Sequence, residues 1–416
     1  MKKIIQYFIL TAAVGAVLAS CQREQLPGTA TGESDGSRVI SVDFADATKT
    51  AIDGKKSTFK AGDIILVSNG KELEDCPVEI DAGGNAQITT TLQGDLDAVY
   101  PIEAAVYTGY DIDLDQIVVP EIQSGRFEDA NICTSTISAD GSSATFVSRC
   151  AILKFYVDKS IGVTSIDVTS SGADIATGYK TITVAAPSGK TLADVTDDPL
   201  GRICYIAVLP GISTSSLKFT TVTTTQGTAE RQSLESPVTL AANTLYKILI
   251  PYYIDLGAAG KWGYCNVGAF LPEEFGTHFS WGNTVNDSGG KYSGATLPAT
   301  AQYDAAVKHW GPSWRIPNGN GGEFGVLVNN TNNRWEPLNG VNGYKFKNKS
   351  SDDIYVFFPA TFESATRGMY WSRNRCASNT AHHLDFKANY LNPAKGSASS
   401  GQSKFVRGRP IRAIHP

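Results

Sequence analysis

The sequence predicts a mostly β chain, with two β-sandwiches in tandem followed by a separate α+β module. Three observations lead there. Short apolar runs of strand length recur through the first 250 residues, punctuated by Gly, Pro, Asp and Ser, while long amphipathic helical patterns are scarce. All six Trp and all five His lie after Pro251. Charge changes sign at the same place: residues 22–252 hold 17 Lys+Arg and 30 Asp+Glu, whereas residues 253–416 hold 17 and 11. Regions so different in composition are expected to be separate modules with separate tasks. At 416 residues, 42% of them hydrophobic, the chain has material for more than one core.

In chain order, residues 1–20 (MKKIIQYFILTAAVGAVLAS) join a basic start at Lys2 and Lys3 to an apolar run, which reads as a secretory signal peptide. The run is short for a span, since a bilayer core takes roughly 20 apolar residues. Leu18-Ala19-Ser20-Cys21 then resembles the bacterial lipoprotein box. The resemblance implies lipidation (palmitate) at Cys21, where each buried CH₂ contributes about 0.8 kcal/mol of anchorage. Gln22 after the cysteine, rather than Asp, implies the outer membrane. Residues 21–38, polar and rich in Gly and Ser, form the lipidated tether.

Six further cysteines follow: Cys76, Cys133, Cys150, Cys204, Cys265 and Cys376. None is in a CxxC spacing, which argues against a metal or redox motif. An exported chain permits disulfides, and 15 pairings stay open. Cys265 with Cys376 is the first pair to test, because both lie in the last module. Cys150, in the apolar run CAILKFYV, is expected to be buried.

Strand-like runs fall at 39–44, 64–67, 87–92, 98–100, 117–119, 144–147, 151–157, 165–168, 181–184, 203–209, 217–223 and 245–250. A dozen short strands in some 210 residues fit two sandwiches, 39–147 and 148–252, joined near the ADGSSA break. Several pieces resemble the Bacteroidetes fimbrillin family, the type V pilins. They are Thr48-Lys49-Thr50-Ala51-Ile52 with Phe59-Lys60-Ala61-Gly62-Asp63-Ile64, then Arg149-Cys150-Ala151-Ile152-Leu153-Lys154-Phe155, and Tyr205-Ile206-Ala207-Val208-Leu209-Pro210-Gly211. The resemblance implies two transthyretin-like sandwiches. It also implies assembly with other pilin subunits by donor-strand addition, after a trypsin-like protease removes the first strand. Arg38 and Lys49 flank that strand as the implied processing sites. In stalk pilins the donor is a C-terminal tail; here residues 253–416 occupy its place, which points to a tip or minor subunit.

Residues 253–416 resemble the Fibrobacter major paralogous domain, of the C-type-lectin-like fold. The residues carrying this are Trp262-Gly263-Tyr264-Cys265-Asn266-Val267-Gly268, Phe279-Ser280-Trp281-Gly282-Asn283, Trp314-Arg315-Ile316-Pro317, Phe357-Phe358-Pro359-Ala360, Tyr370-Trp371-Ser372 and Val406-Arg407-Gly408-Arg409-Pro410. Asn318-Gly319-Asn320-Gly321-Gly322 departs from the family pattern and is expected to reshape one loop. Tyr303, Ala306, Val307 and Trp310 recur at helical spacing, so 301–310 predicts a short amphipathic helix ended by Gly311-Pro312, and 323–329 a second. Trp262, Trp310, Trp314 and Trp371 are expected in the core, where large rings supply burial to a loop-rich fold.

The polar loops hold the candidate ligand-binding residues: Trp281, Tyr292, Trp335, Arg373, Arg375, His382, His383 and Tyr390. Cations and aromatic rings together suit a sugar face or an anionic group. Trp335-Glu336-Pro337-Leu338-Asn339 resembles in part a calcium–sugar motif, but Leu338 interrupts it. No carboxylate cluster supplies the six to eight oxygens that calcium takes, so no metal and no cofactor is expected. GxSxG, HExxH, P-loop and CxxC motifs are all lacking, and no catalytic residue is assigned. An enzyme of the sulfatase-modifying type would need paired active-site cysteines, and Cys376 has no near neighbour in sequence. The expectation is a cell-surface or fimbrial adhesin, a lipoprotein whose partners are pilin subunits and a glycan or surface-protein ligand, not nucleic acid. The alternative is an outer-membrane glycan-binding lipoprotein that does not polymerise.

Overall fold

Strand β1 (Arg38–Phe44) alternates perfectly: Ile40, Val42 and Phe44 are buried, and the residues between them are not. That period of two places one face on a core. The structure, a computed structural model, describes residues 36–45, 58–224, 226–232, 237–285, 292–319, 321–360, 365–377, 380–395 and 408–416. The signal peptide, Cys21 and Lys49 lie outside the described residues. Strands hold 46% of the described residues and helices 9%, so the chain is mostly β, as composition predicts.

The first unit adds β2 (Ile64–Ser68), β3 (Leu73–Pro77), β4 (Glu79–Ile80), β5 (Ala86–Thr90), β6 (Leu96–Tyr100), a hairpin of β7 (Ala105–Thr108) and β8 (Asp111–Ile117), β9 (Ile122–Gln123), β10 (Cys133–Ile137) and β11 (Ser143–Ser148). Eight of these form one sheet in the order β3-β2-β6-β10-β11-β1-β5-β4. Strand β11 changes partner along its length: residues 143–146 pair with β1, while Val147 and Ser148 pair with β10. The sheet thereby closes around Ile40, Phe44, Phe59, Ile88 and Phe146, with Phe44 and Phe59 stacked at 4.2 Å. β1 is an interior strand, parallel to β11 and antiparallel to β5.

The second unit comprises β12 (Ala151–Tyr156), β13 (Val163–Ser170), β14 (Thr181–Ala185), β15 (Ile203–Val208), β16 (Leu217–Thr223), β17 (Gly227–Gln232) and β18 (Thr244–Ile248). Its sheets are β15-β12-β18 and β17-β16-β13-β14-β9. The last strand of the second sheet comes from the segment between β8 and β10. Gln123 in it extends the pairing with its side chain, donating to Ala207 O at 2.8 Å and accepting from Ala207 N at 2.9 Å. Ile117, Val119, Phe127 and Ile132 share a core with β12 and β15.

Both β12 and β15 are buried at every position. A strand reads this way only when both its faces are covered. Phe155 points into the sandwich against Phe219, at 5.8 Å. On the other face Tyr156 stacks on Tyr264 at 4.8 Å, and Lys154 lies 5.4 Å from the Phe270 ring. The covering residues belong to the third unit, and Arg202–Glu273 at 2.9 Å closes the same seam.

The third unit contains β19 (Tyr253–Asp255), β20 (Lys261–Gly263), β21 (Thr331–Trp335), β22 (Gly343–Asn348), β23 (Ser351–Pro359), β24 (Arg367–Ala377), β25 (Thr380–Lys387), β26 (Tyr390–Lys395) and β27 (Ile414–His415), with helices at Ala305–Trp310 and Glu323–Asn330. Three small sheets, β19-β20-β27, β21-β22-β23 and β24-β25-β26, surround an aromatic core. Trp262 stacks on Phe324 at 5.6 Å, and Trp310 meets Trp314 edge-on at 4.9 Å. The expected core tryptophans are all buried.

Several strand expectations need correction. The run at 117–119 is the end of β8 and the loop after it; Val119 is buried without being in a strand. Residues 73–77, 133–137 and 227–232 are strands without an apolar run, since their pairing comes from neighbours rather than from their own patterning, and 105–108 is a further strand. The helix expected at 301–310 begins at 305, because Asp304 caps it.

Candidate functional site

The site is built around a distortion in β24. Trp371 pairs with His383, but Arg375 pairs with Ala381, so β24 carries extra residues at 372–374. Such a bulge re-aims side chains beside a strand. Here it inserts 373–375 between two loops. On one side, Leu297 N donates to Arg373 O at 2.8 Å and Arg375 N to Ala295 O at 2.8 Å. On the other, Arg373 N donates to Pro317 O and Gly319 N to Asn374 Oδ1, both at 2.9 Å.

Between these loops lies a cleft of about 430 Å³, lined among others by Thr296, Asn318, Gly319, Asn374, Arg375 and His382. Its glycines have a steric reason. A Cβ on Gly319 would lie 2.9 Å from Ser372 Oγ and 3.1 Å from His382 Cβ, and one on Gly322 would lie 2.4 Å from Asn318 Cβ. Gly319 and Gly322 thus let backbone form one wall. That wall is held by Glu323, which accepts from Asn318 N at 2.6 Å and pairs with Arg315; the pairing keeps the Glu323 carboxyl below its usual range despite burial.

Beneath the cleft, Asp304 is fully buried and accepts from Ala306 N at 2.9 Å, Val307 N at 3.3 Å and Ile316 N at 3.0 Å. It ties the first helix to the WRIP segment. Burial raises its carboxyl to about 6, against those three bonds.

Two of the sequence-predicted ligand residues, Arg375 and His382, line the cleft. The others are placed differently. Trp281 is buried and donates from Nε1 to Ser372 O at 2.8 Å, so it is a core residue and not a ligand contact. His383 is also buried, edge-on to Trp371, and burial drives its imidazole down to about 3. Its neighbour His382 faces the opposite side of the strand, which is why one of the pair reaches the cleft. Arg373 is spent on Leu297 O, to which its Nε donates at 2.9 Å. Tyr292 packs against Tyr303 at 4.8 Å. Trp335 packs half-buried against Tyr344 and Phe386, and Tyr390 accepts from Asn392 Nδ2 at 3.2 Å; neither lines the cleft. Thr296, Asn318 and Asn374 were missed, because loop amides and hydroxyls carry no signal until the bulge brings them together.

The cysteine expectation is corrected too. Cys265 and Cys376 are free thiols: Cys265 is buried beside Ala269 O, whereas Cys376 sits 2.9 Å from Thr380 Oγ on the hairpin of β24 and β25. Burial pushes the Cys265 thiol up to about 12. Cys150 is buried as expected. Arg38 is the first residue of β1, and its guanidinium donates to Ala139 O and Gly94 O, each at 2.8 Å. A cut after Arg38 would leave the rest of β1 attached to the chain that follows it. Among the described residues, no cluster of His, Cys, Asp or Glu is arranged to hold a metal ion.

No protein-family description matches the chain, and no curated protein does. Solved structures match about half of it. A candidate cell adhesion protein from Bacteroides uniformis is 15% identical, with a TM-score of 0.33, over 53% of this chain and 94% of that one. Another, from Bacteroides ovatus, is 13% identical with a TM-score of 0.28, over 51% and 89%. The tip fimbrial protein Mfa3 from Porphyromonas gingivalis, truncated at its C-terminus, is 10% identical with a TM-score of 0.25, over 51% and 92%. Likeness at this level carries no argument about function.

Proposed function

We propose that this chain is an adhesin subunit of fimbrial type: two fimbrillin-like sandwiches, 39–147 and 148–252, carrying a lectin-like module, 253–416, that meets the ligand. It is anchored at the outer membrane through Cys21 until assembly, and it joins other pilin subunits by accepting a strand in place of β1. The reading rests on one observation above the rest. Residues 411–415 are built into the module itself: Lys261 and Trp262 pair with His415 and Ile414, and Val267 N donates to Ile411 O at 2.9 Å. Arg412 is fully buried, with Nη1 donating to Gly263 O at 3.0 Å. A segment so bound is not available to fill a neighbour's groove without unfolding the module. The interior place of β1 suits acceptance, since its removal would open backbone pairing on two sides.

Immunogold labelling of cells tests the reading. Label confined to fibre ends supports it, and label along shafts, or away from fibres, overturns it. The second reading, a glycan-binding lipoprotein that never polymerises, is favoured by the seating of β1, which Arg38 anchors through three carbonyls. N-terminal sequencing of the mature protein separates the two: loss of residues through Lys49 supports the subunit, and a chain that begins at Cys21 supports the lipoprotein.

A further inference from the structure

Resting on the reading of the C-terminal module as the ligand-facing part, we infer that the cleft between 295–297, 318–319 with Gly322, and 374–375 takes a saccharide bearing an anionic group. Arg375 holds the anion, and Thr296, Asn318 and Asn374 hold neighbouring hydroxyls.

The charge pattern of the module carries the argument. Arg315 pairs with Glu323, Arg334 with Glu336 and Arg367 with Asp385. Arg409 lies over the Trp371 ring at 4.2 Å, Arg412 is buried among carbonyls, and Arg373 serves Leu297 O. Arg375 is different. Among the described residues it has no carboxylate partner; one Nη donates to Ser293 O, and it lines an open cleft. A guanidinium presents a planar fork of five donors suited to carboxylate or sulfate, and most of that fork stays available here.

The rest of the lining selects the body of the ligand. Asn318 gives Nδ2 to Glu323 at 3.2 Å, which leaves its Oδ1 as an acceptor. Thr296 Oγ receives Asn374 Nδ2 at 3.5 Å and keeps its own proton to donate. Acceptors beside donors do not suit a bare sulfate, whose oxygens only accept; they suit a ligand with hydroxyls of its own. Apart from the His382 imidazole no ring is in the lining, so bases find no Trp, Tyr or Phe platform to stack on. Nor is there an apolar pocket for a peptide side chain. The lack of a large stacking ring makes each contact weak, so adhesion would depend on many copies acting together.

The test uses the chain from residue 22 onward, immobilised and probed with sialylated, glucuronic acid-containing and sulfated oligosaccharides beside their neutral counterparts. The expected result is binding of at least one anionic class. Arg375→Ala should weaken that binding at least tenfold, Arg375→Lys should recover part of it, and rising salt should weaken it. Arg334→Ala, which removes an equal charge from a different sheet, should leave it unchanged. Arg375→Gln and thermal melts of every variant separate lost binding from lost fold. Equal binding of neutral sugars, capture of acidic peptides alone, or full binding by a folded Arg375→Ala variant would overturn the inference. If the protein labels fibre tips yet binds no saccharide, the ligand inference falls and the fimbrial reading stands. If Arg375-dependent sugar binding appears on a protein absent from fibres, the reverse holds.

Discussion

Trp281 and Trp371 donate their indole N–H groups across one gap in opposite directions, Trp281 to Ser372 O at 2.8 Å and Trp371 to Phe279 O at 2.7 Å. The two bonds clamp the segment 279–281 to β24 immediately before the bulge that shapes the cleft. Both rings are buried, so each bond is made without competition from water. Trp281→Phe or Trp371→Phe should each destabilise the protein by roughly 2–4 kcal/mol, from a smaller ring and a stranded carbonyl. Urea unfolding monitored by fluorescence checks this. A cost below about 0.5 kcal/mol would mean that the clamp is not holding the fold.

Asp304 and His383 give the module two pH dependences of opposite sign. The Asp304 carboxyl is raised from 3.8 to about 6, so the folded state keeps its proton longer than the unfolded chain does. Its contribution is fully present below pH 4 and is lost as pH rises to 6. The His383 imidazole is lowered from 6.5 to about 3, so the unfolded chain takes the proton first, and stability is lost as pH falls from 6.5 towards 3. Melting temperature between pH 3 and 7 should therefore flatten on the acid side in His383→Leu. In Asp304→Asn the loss on acidification should steepen. That variant should also lose roughly 1–3 kcal/mol, because Asn does not reproduce all three accepted bonds.

The seam between the second and third units should behave as part of one core. Arg202→Ala leaves Glu273 without its mostly buried partner and should cost about 3 kcal/mol. Calorimetry should show residues 148–416 melting together in the parent and splitting into two transitions in Arg202→Ala or Tyr264→Ala. In the same seam, Lys154 is lowered from 10.5 to about 8, by burial first and by Lys247 second. Stability should rise between pH 8 and 10.5, where the unfolded chain still holds the proton, and Lys154→Met should abolish that rise.

Thiol labelling of the native chain from residue 22 should modify Cys376 alone, since the other five cysteines are buried. Six labels should appear after denaturation without reductant. Four labels, with Cys265 and Cys376 protected, would restore the disulfide between them.

Some of this architecture was legible in the order of residues. The alternation of RVISVDF foretells β1, because a strand with one covered face must repeat every two residues. The stripe of Ala306, Val307 and Trp310 foretells a helix for the same kind of reason. Trp262, Trp310, Trp314 and Trp371 were legible as core because a loop-rich fold has few other sources of burial. The site was legible only in part. Arg375 and His382 reach the cleft, but Trp281 and His383, the latter adjacent to His382 in sequence, are buried.

The sequence by itself determined that the chain is mostly β, that its composition breaks near residue 251, and that its rings and histidines concentrate after the break. Those properties depend on local periodicity and on counting, which need no partner. Tertiary structure alone decided that CAILKFYV is buried on both faces, because the second face is covered by Tyr264 and Phe270, more than a hundred residues away. It also decided which of two adjacent histidines meets solvent, because the bulge in β24 and the wall of Asn318, Gly319 and Gly322 fix which side of β25 is open. The physical reason is the same in both cases: burial and electrostatic pairing are properties of surfaces brought together, and the chain order of a single strand does not contain the surface that will cover it.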